Sequence, residues 1–298
     1  MSNPFISVIV PTYNRATLIA ETLRSLQSQQ YDNYEIIVVD DGSTDNTEEV
    51  VNSIADARTQ YVRKQNGERA VARNFGAAMA KGAYVNFFDS DDIALSNHLS
   101  KAAELIAEHK MPEWFHLGFA WANSNKEIFK RVDNYSGETL NHIIHQGNPF
   151  GCNDVFVRKD IFLMHKFNED RKLTASEDYE LWLRLAARYP LYYSNEITSM
   201  LIDHAERSVR NVKADVLITR LRSLVHYINA DEIARKYYGS KLKSIEMDCD
   251  SYISLHLSEV AKYKGLSTKY LFKAIGDSPA IFGNRRFLAI VRNLLFRW

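Results

Sequence analysis

The segment FFDSDDIALS, residues 87–96, places three carboxylates directly after an apolar run. Asp89, Asp91 and Asp92 are so close in the chain that their charges repel unless a cation lies among them. An Asp-x-Asp pair at a strand end suits Mg²⁺ or Mn²⁺, which bind one or two carboxylates and keep other positions for water and substrate phosphates. Alternatively, these aspartates cap a helix beginning near Ile93 and face water. The segment alone leaves both interpretations open.

Two other polar segments follow apolar runs earlier in the chain. Asp40 and Asp41 begin the sequence DDGS, which is typical of a solvated turn, although an aspartate there can also accept a hydrogen bond from a base or a ribose. Tyr13 follows Pro11 and Thr12, and it is either a core aromatic side chain or a stacking surface for a nucleobase.

The elements that carry these segments alternate between strand and helix. Strands are predicted to end at Pro11, to cover 35–39 and 57–64, and to run from 83 to the aspartates. Helices are predicted over 15–30, through 50–54 and over 69–82, the last closed by Gly82. This alternation predicts a parallel sheet with right-handed crossovers. Because ligands bind beyond the carboxyl ends of such strands, the three polar segments are expected to meet at one edge.

Composition restricts the class of protein. The 298 residues are 46% hydrophobic and 25% charged, which is typical of a globular protein with a sizeable core. Lysine plus arginine equals aspartate plus glutamate at 37 each, so bulk charge gives no argument for a nucleic-acid partner. The two cysteines have no metal-ligand spacing, and no run approaches the roughly 20 apolar residues that span a bilayer. We expect a soluble cytoplasmic protein without a signal peptide.

The second half of the chain is less regular and then becomes helical. Residues 174–189 form a predicted amphipathic helix, and helical patterns run from about 213 to the C-terminus. We therefore predict a first domain over 1–210, with halves over about 1–95 and 96–210, and a helical region over 211–298.

Four segments in order resemble one known family. SVIVPTYNR, IIVVDDGSTD, ARNFGAAMAKGAYVNFFDSDD and SEDYELWLRLA are similar to the motifs of inverting family 2 glycosyltransferases over roughly residues 4–205. The resemblance implies an α/β GT-A fold: a Rossmann-like, mostly parallel sheet flanked by helices, here with an α-helical C-terminal region. It implies transfer of a sugar from a nucleotide-diphosphate donor, most often a UDP sugar, to a hydroxyl of a glycan or lipid-linked acceptor. Surface-polysaccharide assembly is the process expected from the family.

The resemblance also assigns residues to the donor site. Pro11 and Tyr13 occupy positions where the family contacts the base, and Asp41 occupies the position that hydrogen-bonds it. Arg73 corresponds to a basic position near the donor phosphates. Asp89 and Asp91 match the family's Asp-x-Asp element, which binds donor and metal, with Asp91 favoured as the direct ligand of Mn²⁺ or Mg²⁺.

Two further positions carry expectations from the same resemblance. Asp178 corresponds to the catalytic base. Alternatively, its helix is only structural, and Asp178 is one of the N-terminal acids that complement the helix dipole. His204 and Ser208 match a phosphate-contacting loop, but Ile202 replaces the arginine that many relatives carry there. His204 is therefore either a contact of the diphosphate or metal, or an ordinary surface histidine.

Three other classes of protein share parts of this pattern. A haloacid-dehalogenase-like phosphohydrolase also uses Asp-x-Asp, but it would place the motif near the start of its fold. A dinucleotide-dependent dehydrogenase is disfavoured because no G-x-G-x-x-G follows a strand. A non-catalytic nucleotide-sugar-binding module is the remaining alternative, and it would be expected to lack either Asp178 or the Asp-x-Asp pair.

The C-terminal segment NRRFLAIVRNLLFRW is basic and amphipathic. Its arginines are accompanied by no acidic residue, and an apolar face is predicted from residues at helical spacing: Phe287, Leu288, Val291, Leu294 and Leu295. This pattern fits peripheral contact with an anionic membrane at the inner face, and it equally fits packing on the protein's own core or in a homodimer.

Overall fold

The computed structural model describes residues 3–204 and 213–296. Their contacts group into two compact units. The first unit contains residues 3–140, 150–169 and 189–204, and the second contains 141–149, 170–188 and 213–296. The predicted domain boundary between residues 210 and 211 lies outside the described residues, and so does Ser208.

The first unit is built on a mixed sheet, with nine strands in the described part of the chain. These are β1 (Ile6–Thr12), β2 (Tyr34–Asp40), β3 (Thr59–Arg63), β4 (Tyr84–Phe87), β5 (Ile93–Ala94), β6 (Trp114–Asn123), β7 (Ile128–Val132), β8 (Val155–Arg158) and β9 (Tyr192–Asp203). Their order is β3-β2-β1-β4-β8-β6-β9-β5, and β7 pairs with β6. The first four strands in this order are parallel, and β8 then pairs antiparallel with both β4 and β6.

Helices flank this sheet and form most of the second unit. The first unit contains α1 (Ile19–Gln27), α2 (Thr47–Ile54), α3 (Arg69–Met79), α4 (His98–Glu108) and α5 (Lys159–His165). The second contains α6 (Glu177–Ala186), α7 (Ala214–Ala230), α8 (Glu232–Tyr238), α9 (Leu242–Ser258), α10 (Lys264–Asp277) and α11 (Arg285–Phe296). The predicted α/β architecture with a helical C-terminal region is confirmed.

The core of the first unit explains why β1 and β2 form. Every residue of both strands is buried, as expected for parallel strands covered by helices on both faces. Ile6, Val8 and Val10 pack on one side with Leu23 and Leu26 of α1. Continuous apolar burial fixes the ends of these strands, and the polar residues that follow them lie at the edge of the sheet.

One local prediction was wrong, and one alternative for the acidic segment is excluded. Gly82 does not close α3, which ends three residues earlier; a Cβ at Gly82 would lie 2.5 Å from the backbone nitrogen of Ser7 in β1. Glycine is required there because two backbones approach closely, which a helix-end pattern does not show. No helix begins at Ile93 either: Ile93 and Ala94 pair with β9, and α4 begins at His98.

The predicted apolar face of the C-terminal helix α11 is partly packed and partly exposed. Phe287, Val291 and Leu294 pack against a cluster that also contains residues of α9 and α10, whereas Leu288 and Leu295 are exposed. The C-terminal Arg297 lies outside the described residues. None of the helices in the described residues is both long and apolar enough to cross a membrane.

Candidate active site

The register of the sheet brings the three polar segments to one edge. Thr12 pairs with Asp40, and Ile9 pairs with Phe87 on the other side of β1. The chain therefore leaves β1, β2 and β4 at the same edge, since these strands are parallel. This confirms the arrangement expected from alternating strands and helices.

The acidic segment after β4 gathers three carboxylates. One oxygen from each of Asp89, Asp91 and Asp92 lies within 4.8 Å of the other two. Asp92 is fully buried, whereas Asp89 and Asp91 are partly exposed. A carboxylate cluster that opens to solvent on two of its three members can receive a cation from outside the protein.

Two arginines and one histidine of the same unit lie around these two aspartates. The guanidinium of Arg73, only 2% exposed, donates to Asp89 Oδ1 at 2.8 Å. His204 Nε2 lies 3.1 Å from Asp91 Oδ2, and Arg15 Nε lies 3.8 Å from the same oxygen. Arg73 and His204 were predicted at the donor site, whereas Arg15 was not. The signal for Arg15 was present, because it lies in PTYNR directly after β1.

Asp92 is held by the protein on both of its oxygens. Oδ1 accepts the backbone N–H of Ile202, and Oδ2 accepts from Asn153 Nδ2, both at 2.8 Å. Asn153 Oδ1 in turn accepts the backbone N–H of Asp89 at 2.8 Å. Asn153 therefore joins the acidic segment to the loop before β8, and Asp92 joins it to the end of β9 two residues before His204. Sequence reasoning missed both roles, because the partners are far apart in the chain.

The donor set fits a hard divalent cation. Mg²⁺ and Mn²⁺ bind oxygen ligands and usually take one or two carboxylates from the protein. Asp89 and Asp91 offer two such carboxylates on the partly exposed side, while Asp92 already accepts a hydrogen bond on each of its oxygens. These residues satisfy the requirement for a metal that keeps positions for donor phosphates.

The predicted base-contacting residues differ in their environment. Pro11 is buried within β1, whereas the ring of Tyr13 is 47% exposed. Asp41 is 4% exposed, and its carboxylate accepts from Lys64 Nζ at 2.6 Å and from the backbone N–H of Gly67 at 2.9 Å. The 64–68 segment is thus fastened over the end of β2 through Asp41.

Asp178 lies in the second unit, in the first turn of α6. Its Oδ1 accepts the backbone N–H of Tyr179 at 2.7 Å, and its Oδ2 accepts from Asn148 Nδ2 at 3.2 Å. The carboxylate is partly exposed, while its neighbours Glu177 and Glu180 are buried. Of the three acids of this turn, Asp178 is therefore the one that solvent reaches most readily.

Comparison with known proteins decides the family. A sequence model of one protein family, glycosyl transferase family 2, matches residues 7–160, which are just over half of the chain. The chain belongs to glycosyl transferase family 2. This membership favours the transferase over a phosphohydrolase or a dehydrogenase, and the matched residues include the edge formed by β1, β2 and β4.

One relative aligns with this family 2 chain over nearly the whole length of both proteins. The GalNAc(5)-diNAcBac-PP-undecaprenol beta-1,3-glucosyltransferase of Campylobacter jejuni is 29% identical over 306 residues, covering 93% of this chain and 91% of the relative. The chain spans only 26% and 40% of the length of two other curated relatives, both uncharacterized glycosyltransferases, from Rickettsia bellii and Rickettsia felis.

Solved structures share the fold. Residues 1–349 of Staphylococcus aureus TarS in complex with UDP-GlcNAc superpose with a TM-score of 0.66 at 18% identity, covering 98% of this chain and 93% of the other. The mannosyltransferase PcManGT from Pyrobaculum calidifontis, in complex with GDP-Man and Mn²⁺, gives 0.59 at 18% identity, covering 100% and 89%. At this identity the similarity establishes the GT-A fold.

Proposed function

We propose that this protein is a metal-dependent, inverting glycosyltransferase. It moves a sugar from a nucleotide-diphosphate donor, a UDP sugar, to a hydroxyl of a glycan or lipid-linked acceptor. The observation that carries the proposal is the pair Asp89 and Asp91 at a strand end, surrounded by Arg15, Arg73 and His204. Carboxylates for a metal beside cations for phosphates are what a nucleoside diphosphate requires.

The base of the donor is assigned to the ends of β1 and β2. The exposed side chain of Tyr13 offers a stacking surface, and Pro11 is buried in β1 two residues before it. Asp41 Oδ1 already accepts from Lys64 and from the backbone N–H of Gly67, and Oδ2 accepts from the backbone N–H of Glu68, so the remaining lone pair of Oδ2 is assigned to a base N–H.

The diphosphate is assigned to the acidic segment and its cations. Arg73 is held by Asp89, so its guanidinium has a fixed position beside the proposed metal ligands. A bound Mg²⁺ or Mn²⁺ supplies Lewis-acid stabilisation of the negative charge that develops on the leaving nucleoside diphosphate. His204 is the histidine beside Asp91, which favours the interpretation that it contacts phosphate or metal.

Asp178 is assigned as the general base. In an inverting transfer the acceptor oxygen attacks the anomeric carbon as the bond from that carbon to the phosphate oxygen breaks. The proton of the acceptor hydroxyl passes to a carboxylate, and the nucleoside diphosphate leaves with the bonding electrons. A partly exposed aspartate in the first turn of a helix suits that role, since solvent and an acceptor hydroxyl can reach its carboxylate.

The class of acceptor is inferred from the Campylobacter relative, which aligns with this chain over nearly its whole length. The Campylobacter protein is named for an undecaprenol-diphosphate-linked glycan, and its alignment with this chain covers 91% of its length. We infer a lipid-linked or glycan acceptor and a place in surface-polysaccharide assembly. Contact with the inner face of a membrane and a homodimer through the C-terminal helices stay predictions.

The Asp178→Asn variant tests the assignment of the base. Transfer should be abolished because asparagine cannot take the acceptor proton, while nucleotide affinity stays at the wild-type value. Turnover is measured with a panel of UDP sugars and membrane lipid extract as acceptor, and affinity is measured by calorimetry with UDP and Mn²⁺. Asp215→Asn is the matched control, because it removes an exposed acid from the first turn of another helix of the second unit. Retained turnover in Asp178→Asn would remove Asp178 from this role.

The binding-module alternative predicts a different result for the wild-type protein. Nucleotide would bind with metal, yet no sugar would be transferred from any donor, and the Asp178→Asn variant would behave as the wild type does. The presence of both Asp178 and the Asp89–Asp91 pair favours the enzyme.

A further inference from the structure

Asp178 has an exposed hydrogen-bond donor, Asn148, in its own unit. The side-chain amide of Asn148 donates to Asp178 Oδ2 at 3.2 Å, while Oδ1 is occupied by the backbone N–H of the next residue. Asn148 belongs to the 141–149 segment, which groups with α6 and the C-terminal helices. An amide donor on one oxygen restricts the rotation of the carboxylate.

The segment that carries Asn148 is fastened to α6. The buried hydroxyl of Tyr179, the residue after Asp178, donates to the carbonyl of Ile144 at 2.8 Å and accepts from the backbone N–H of Gly147. Gly147 has φ +136°, a conformation that side chains rarely adopt. The backbone conformation just before Asn148 is therefore set by these two hydrogen bonds of Tyr179 and by the positive φ of Gly147.

A buried ion pair of the C-terminal helices supports the same segment. A Cβ placed on Gly147 would lie 3.1 Å from Oδ1 of Asp248, so the segment lies directly against this carboxylate of α9. Arg286 of α11 donates to Asp248 Oδ1 at 2.8 Å and to Ser251 Oγ at 2.7 Å. Asp248 is 8% exposed, and burial raises the pKa of its carboxyl while Arg286 opposes that shift.

We propose that Asn148 is a positioning residue for Asp178 and that the Asp248–Arg286 pair holds its segment in place. This inference rests on the proposed role of Asp178 as the base. It gives the helices α9 and α11, which lie outside the residues matched by the family model, a part in catalysis. Asn148 does not react; it fixes the orientation and the charge of the carboxylate that does.

The Asn148→Ala variant tests the proposal directly. Because Asn148 is exposed, the variant should keep the wild-type melting temperature. We expect kcat to fall by about tenfold to 100-fold, the range for a lost hydrogen bond to a charged group, with donor KM unchanged. Loss of the donor favours the protonated carboxyl, so the acidic limb of the kcat–pH profile moves to higher pH. Asn148→Asp should move this limb further, and Gln146→Ala, an exposed neighbour in the segment, should leave it in place.

Two variants of Arg286 separate positioning from stability. Arg286→Met leaves Asp248 buried without its cation and should lower both the melting temperature and kcat, whereas Arg286→Lys should restore much of both. All kcat values are measured at least 15 °C below each variant's melting transition, so unfolding does not contribute.

The outcomes distinguish this proposal from the proposed function. Wild-type kcat and an unmoved pH profile in Asn148→Ala, with Asp178→Asn inactive, would overturn the positioning role and leave the base assigned. Normal turnover in Asp178→Asn would overturn the base itself. A melting temperature lowered in Arg286→Met with an unchanged kcat and pH profile would reduce the ion pair to a stabilising contact and overturn its part in the proposal.

Discussion

At the scale of single residues, three neighbouring aspartates have three different environments. Asp89 is paired with the buried Arg73, and Asp91 lies beside Arg15 and His204. Asp92 is buried and accepts one hydrogen bond from the side chain of Asn153 and one from the backbone N–H of Ile202. Repulsion within the motif is therefore reduced by protein cations and donors, and the two partly exposed carboxylates are the ones assigned to the metal.

The Asp92→Asn variant should affect stability. An amide at this position replaces one acceptor oxygen by a donor facing another donor, and a mismatched buried polar group costs about 1–3 kcal/mol. We expect a lower melting temperature without ligand, measured by differential scanning calorimetry. Asp91→Asn is the control and should lower that temperature less than Asp92→Asn does, because Asp91 is partly exposed and water screens its contacts with Arg15 and His204. Equal melting temperatures for Asp92→Asn and the wild type would contradict the anchoring role.

Sequence reasoning reached residues that lie in recognisable segments and missed those that act from a distance. Tyr13, Asp41 and the Asp-x-Asp pair follow strands and are visible as interruptions of apolar runs. Asn153 and Asn148 are single amides in an irregular loop, and their partners are 61 and 30 residues away. Nothing in the local pattern indicates such contacts, because they depend on tertiary packing.

At the scale of elements, β6 carries a buried histidine that the proposed reaction does not use. His116 packs among the rings of Phe119, Tyr135 and Phe150, and neither ring nitrogen has a hydrogen-bond partner in the part of the chain that the structure describes. Burial lowers the pKa of His116 to about 3. Burial likewise lowers the pKa of His98 in α4 to about 3.

The His116→Phe variant should make the protein less sensitive to acid. The folded pKa of His116 lies below its unfolded value of 6.5, so the unfolded chain binds more protons between these values. Its contribution to stability is complete above pH 6.5 and is lost as pH falls toward 3. Phenylalanine removes this proton uptake, and the melting temperature should fall less between pH 6.5 and pH 4.5. His98 continues to contribute in both proteins, and an identical slope in the two would contradict the account.

The elements that were predicted well are those set by local pattern. β1 and β2 were expected from continuous β-branched runs, and α6 was expected from its amphipathic spacing. β5 was missed because its two residues form a strand only through pairing with β9, which lies more than 100 residues later. Gly82 was misassigned because its close contact is with β1 and not with its own helix.

At the scale of the whole molecule, the described contacts group the chain differently from its linear order. The predicted division of 1–210 from 211–298 follows the change from mixed to helical sequence. The contacts instead group α6 and the 141–149 segment with the C-terminal helices. The candidate base Asp178 thus belongs to the compact unit that contains those helices. Substitutions in α9 or α11 are therefore expected to change kcat.

The central claim is a metal-dependent nucleotide site at the edge of β1, β2 and β4, and a thermal-shift panel tests it most directly. UDP, GDP, dTDP, CMP and ADP are each measured with and without Mn²⁺, on the wild type and on Asp91→Asn. A ligand that binds only the folded state at 100 times its Kd adds about 2.7 kcal/mol of stability. We expect UDP to raise the melting temperature of the wild type only when Mn²⁺ is present, and we expect no rise in Asp91→Asn. No rise with any nucleotide, or an equal rise without metal in both proteins, would contradict it.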